Sequence, residues 1–129
     1  KESFESGFEV TPLIKGRFSY PGVITQEPSK VISGKSSVLG ESPDTEEWSE
    51  FLQTDISKLQ LEPNTTYNIS FNYKINRLSN NKEGEFYFLA RSSEAYLFGD
   101  KGFTQWTGEV GKVTNKTISI TTGNLSTYY

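Results

Sequence analysis

The chain has 129 residues, a formal net charge of −3, and neither histidine nor cysteine. That composition excludes a thiol nucleophile, a disulfide framework, a thiolate metal site and any Ser-His-Asp device, and it removes the commonest zinc and copper ligand. Acidic and basic residues are interspersed with no lysine-arginine block, and no apolar run is long enough to cross a bilayer, so nucleic acid and membranes are poor partners. The length predicts one domain, residues 1–129, able to bury roughly two-thirds of its unfolded surface without metal or disulfide. Aromatic residues make up 14% of the chain, more than a core requires. Surfaces that bind carbohydrate or peptide use such an excess, and so do β-sandwich cores.

In chain order, "KESFESGFEV" lacks the apolar core of a signal peptide, so an exported protein of this sequence is a mature fragment. "VISGKSSVLG" contains Gly34-Lys35-Ser36, the ending of a phosphate-binding loop. A P-loop needs a glycine five positions earlier, but Ser29 stands there, and residues 30–33 read as strand. The tripeptide is therefore predicted as a turn leading into a strand over residues 36–40. "DTEEWSEFLQ" is the nearest approach to a helix, with Asp44 as cap and Trp48, Phe51 and Leu52 on one face. A strand over 48–54 suits its second half better.

"LEPNTT" supplies Pro63 and Asn64 as turn residues. In "TYNISFNYKI", Tyr67, Ile69, Phe71, Tyr73 and Ile75 alternate with Asn68, Ser70, Asn72 and Lys74, which predicts a half-buried strand with the apolar set inward. The polar stretch "NRLSNNKEGE" then reads as a hairpin loop to a second strand, "EFYFLARS", apolar on both faces. Further strands are predicted over 104–110 and 117–122. Strands at this spacing without helices predict an all-β, antiparallel β-sandwich. Four Asn-x-Ser/Thr sequons, at Asn64, Asn68, Asn115 and Asn124, are what a chain rich in these residues gives by composition.

"SFESGFE", "VISGKSSVLG", "LEPNTTYNISFNYKI" and "FYFLARS", in this order and spacing, resemble the bacterial carbohydrate-binding modules of the galactose-binding-like jelly-roll type, family 4 and its relatives. The resemblance covers most of the chain. It implies a jelly roll that binds polysaccharide without catalysis, secreted or at the cell surface, as part of a larger multidomain protein. It also implies a structural calcium, with Glu5 giving a carboxylate and Lys35 a main-chain oxygen. The alternative for these two residues is an exposed charge and a turn. Such modules usually close with a further strand ending in aspartate, whereas this chain stops at "LSTYY": either the last strand is arranged differently or the chain lacks it.

Sugar recognition needs flat apolar faces for pyranose C–H patches, with amides, carboxylates or guanidinium groups beside them. The candidates are Trp106 as stacking platform, Tyr87 and Arg91 on one face of a strand, Asn72 with Lys74 on the polar face of the neighbouring strand, Trp48, and Tyr96 in a loop. Trp106, Tyr87 and Trp48 are equally readable as core. Two carboxylates suffice for a glycosidase, but Glu46 with Glu47 and Glu83 with Glu85 read as solvated turn charges, so no enzyme is expected. The rival reading is a structural or protein-docking sandwich of a multidomain extracellular protein.

Overall fold

A computed structural model of the chain describes residues 4–5, 13–15, 22–41, 51–55, 57–78, 86–89, 92, 103–106, 108–125 and 128. Among the described residues the protein is all-β, without helix. Its strands are β1 (Leu13–Lys15), β2 (Val23–Thr25), β3 (Ser37–Leu39), β4 (Leu52–Thr54), β5 (Thr66–Lys74), β6 (Phe86–Leu89), β7 (Phe103–Trp106) and β8 (Val113–Thr121). They pair antiparallel as β1–β4, β2–β3, β5–β8 and β6–β7. The chain divides into two compact units, Lys1–Lys58 and Leu59–Tyr129.

The second unit is built on the β5–β8 ribbon, nine residues a side from Thr66↔Thr121 to Lys74↔Val113. Its two faces follow the period-two pattern of the sequence. Tyr67, Ile69, Phe71 and Tyr73 stand opposite Ile120, Ile118, Lys116 and Thr114 on the more buried face, and Thr66, Asn68, Ser70 and Asn72 are exposed on the other. Tyr73, Ile75, Ile118, Ile120 and Tyr128 form the buried apolar set among the described residues. Each such side chain contributes about 1.5–3 kcal/mol by leaving water. The Phe71 ring lies 6.1 Å from Tyr73 and 6.4 Å from Phe88, stacked on the latter.

The predicted hairpin between residues 67–75 and 85–92 is not formed. β5 takes β8 as its partner and β6 takes β7. The reason is the pattern of the two candidate partners. β8 matches β5 in length and alternation, so pairing keeps the apolar row of β5 and Ile118 and Ile120 of β8 on one face, whereas the four apolar residues of β6 offer no such alternation.

Both ends of this unit are tied by hydroxyls. Thr122, 3% exposed, accepts the Thr65 N–H at 2.9 Å and donates to the Glu62 carbonyl at 2.6 Å, so its buried oxygen is satisfied on both sides. Tyr67 Oη accepts the Glu62 N–H at 2.7 Å. Asn64 turns the chain with φ 52° and donates its N–H to the Gly123 carbonyl at 2.8 Å. Tyr128 is bridged on both sides, to Leu61 and to Ser92. Its carbonyl accepts the Leu61 N–H at 2.9 Å, and its buried ring brings Oη within 3.1 Å of the Leu125 N–H.

The first unit has only three-residue strand pairs among the described residues, and turns make up the rest. Residues 30–33, read as strand from the sequence, are turn and bend instead. The Glu27 carbonyl accepts the N–H groups of both Lys30 and Val31, at 2.8 and 3.0 Å, and the Glu27 carboxylate takes Ser29 Oγ at 2.7 Å and Lys30 Nζ at 2.6 Å. These local bonds offset any strand preference of Val31 and Ile32. β4 ends where Asp55 accepts both the N–H and the hydroxyl of Ser57, at 3.0 and 2.6 Å.

Candidate functional site

The outward face of the β5–β8 ribbon is the largest array of hydrogen-bonding side chains among the described residues. Thr66 meets Thr121 at 2.9 Å, Ser70 meets Thr117 at 2.7 Å, and Asn115 Nδ2 donates to Asn72 Oδ1 at 2.7 Å. Asn68 and Ser119 stand opposite each other between the first two pairs, both exposed. All eight side chains are neutral. Successive pairs are two residues apart, roughly 6.8 Å along the strand, and three of the four are hydrogen-bonded across the ribbon.

Asn72 is thus exposed as predicted, in company that the sequence reading missed. The same alternation, written over Val113–Thr121, is the signal that would have found Asn115, Thr117 and Thr121. The predicted link from Asn72 and Lys74 to a patch on β6 is not made. β6 approaches through Phe88 against Phe71, whose row lies on the ribbon face opposite Asn72.

Trp106 stands opposite Phe86 in register, and Tyr87 opposite Gln105. These two pairs are adjacent in the ladder, so the Trp106 and Tyr87 positions fall on alternate faces of the β6–β7 ribbon. The Trp106 position shares its row with Phe86, Phe88 and Thr104. Trp48, Arg91 and Tyr96 lie outside the described residues, as do the acidic pairs Glu46 with Glu47 and Glu83 with Glu85.

Glu5 and Lys35 do come together, through a different atom from the one implied by the resemblance. The Lys35 main-chain N–H donates to Glu5 Oε1 at 2.9 Å and reaches Oε2 at 3.2 Å, and the Ser36 N–H donates to Oε1 at 3.1 Å. Gly34 has φ 69°, and a Cβ there would collide with the carboxylate. These N–H donors complement an anion. Calcium takes six to eight oxygen ligands. No group of three or more acidic side chains stands close enough to hold a metal among the described residues.

The groups with displaced acidity are turn residues. Lys30 and Ser29 lower Glu27 through hydrogen bonds, Glu27 raises Lys30, and the Ser57 hydroxyl and N–H lower Asp55. These bonds hold the local turns of the first unit. No helix among the described residues is long and apolar enough to cross a membrane. No family model, curated protein or solved structure matches the chain.

Proposed function

We propose that the protein is a noncatalytic carbohydrate-binding module, a jelly-roll sandwich, secreted or at the cell surface, that brings an attached hydrolase or surface protein to a polysaccharide. The observation that supports this most is the outward face of β5–β8, with its neutral amides and hydroxyls in fixed cross-strand pairs. Sugar hydroxyls both donate and accept, and so do these groups. Because the pairs hold their own side chains in place, little rotamer entropy remains to be lost on binding. The aromatic residues of β6 and β7 supply the candidate stacking surface, with Trp106 first among them. No step of this mechanism passes through a metal.

The test is affinity electrophoresis of the domain through gels containing plant or microbial polysaccharides, with and without a calcium chelator. Retardation by one neutral glycan class is expected. The double variant Asn72→Ala/Asn115→Ala should migrate freely while keeping the wild-type circular dichroism spectrum. Trp106→Ala should lose binding with its fold intact if the ring is a platform, and lose its fold if the ring is core. A silent screen with folded protein would sink the carbohydrate reading.

A second reading has its own observation. The Tyr67 hydroxyl bound to the Glu62 N–H five residues upstream, beside the start of β5, has the form of the tyrosine corner of immunoglobulin-like sandwiches. Such sandwiches also serve as spacers and protein-docking modules. A silent glycan screen moves the protein to that class.

A further inference from the structure

We propose that Gly34, Lys35 and Ser36 form a nest for a tetrahedral oxyanion, and that the chain's own Glu5 occupies it as a displaceable latch. The donors are consecutive main-chain N–H groups, those of Lys35 and Ser36, converging on one oxygen at 2.9 and 3.1 Å. Gly34 precedes them in the left-handed region, at φ 69°, the alternation that turns successive N–H groups toward one side and makes an anion-binding concavity.

The nest has supports of its own. Ser36 and Ser37 are buried, at 2% and 7% exposure, while Lys35 beside them is exposed. Ser37 Oγ accepts the Ile32 N–H at 3.0 Å, closing the loop across five residues. Ser37 also opens β3, paired with Thr25 of β2. None of these contacts passes through Glu5, so the loop keeps its shape when the carboxylate leaves.

Glu5, by contrast, arrives under strain. Phe4, immediately before it, has φ 59°, a left-handed conformation unfavourable for an aromatic residue. The strained residue sits directly beside the docked carboxylate in the chain. A preformed receptor with a strained internal occupant is open to competition from an external anion of the same chemistry. Sulfate and phosphate present the geometry that paired N–H groups accept. The lysine and serine of this loop thus resemble the end of a phosphate-binding loop for a physical reason, although one glycine of that motif is missing.

The experiment is a titration of the ¹⁵N-labelled full chain with sodium sulfate and sodium phosphate, against sodium chloride at equal ionic strength. The Lys35 and Ser36 amide resonances are the readout, in wild type and in Glu5→Ala. In the variant these amides should shift saturably with either oxyanion and not with chloride. Half-saturation should be lower than in wild type by about tenfold, the competition one hydrogen bond to a charged group supplies. Unmoved amides in a folded variant would overturn the proposal, and so would an equal response in wild type. Should Glu5→Ala fail to fold, Glu5→Gln keeps an acceptor oxygen without the charge, and the same two outcomes decide. A parallel arm with dextran sulfate separates sources: half-saturation lower per sulfate group than for the free ion assigns the nest to polymer-borne sulfate, and the reverse assigns it to a free anion.

Discussion

In residues 59–129 a ladder of nine paired residues aligns the apolar row of β5 with Ile118 and Ile120 of β8 on one face and polar side chains on the other. In residues 1–58 the described strand pairs are three residues long, and the fully buried side chains among the described residues there are the serines Ser36 and Ser37. The first kind of structure is held by side chains excluded from water, and the second by N–H groups that find a carbonyl, hydroxyl or carboxylate nearby. Apolar burial is additive along a strand, whereas the geometry of a turn rests on its few polar contacts.

That difference predicts where substitutions are costly. Ile120→Ala removes a side chain 1% exposed, opposite Tyr67, from the apolar face and should destabilise the protein by about 3 kcal/mol, seen as a lower urea midpoint. A cost under about 1 kcal/mol would mean that the row is loosely packed, and the contrast between the units would fail. Thr122→Val comes next. It is nearly isosteric but strands the Thr65 N–H and the Glu62 carbonyl, so about 2 kcal/mol is expected by the same measurement. Tyr67→Phe frees one N–H, that of Glu62, on a half-buried tyrosine, and about 1 kcal/mol should be lost. A null result there would weaken the tyrosine-corner reading as well.

The same contrast explains how much was legible in the sequence. β5 was readable to within one residue at each end because Tyr67 to Ile75 alternate without a break, and the inward face of that alternation is the face the structure buries. Its partner was not readable. Choosing between 86–89 and 113–121 requires comparing how well two patterns fit a third across a long separation, and adjacency in the chain favoured the wrong one. Residues 30–33 were misread because β-branched Val31 and Ile32 signal strand locally, while the two hydrogen bonds to the Glu27 carbonyl that turn the backbone carry no composition signal. Of the site, Asn72 was placed on the exposed face, and Glu5 and Lys35 were set together only as two ligands of the calcium that a resemblance implied. The donor atom was not foreseen, because whether a peptide unit offers its N–H or its carbonyl depends on one glycine torsion.

The smallest expected effect is the one that separates the units most cleanly. Among the described residues, the three groups with displaced acidity, Glu27, Lys30 and Asp55, belong to the first. The Ser57 hydroxyl and N–H hold Asp55 below its ordinary value of 3.8, so folding is favoured above that value and loses this contribution as pH falls through the lower folded value. Glu27 behaves alike below 4.5, through Lys30 and Ser29. Lys30 runs the other way: raised above 10.5 by Glu27, it contributes below that value and loses the contribution as pH rises through its folded one. These groups therefore leave stability flat between about pH 5 and 10, with a shallow acid limb that salt weakens, since all three are solvated. Asp55→Asn should keep the turn, because its amide oxygen still accepts the Ser57 N–H, while removing its share of the acid limb. Amide resonances followed by pH titration would show it. If those of Thr65 to Thr122 moved with Asp55 while those of 57 and 58 did not, the polar contacts would not be local, and the division between a packed unit and a turn-held one would have to be redrawn.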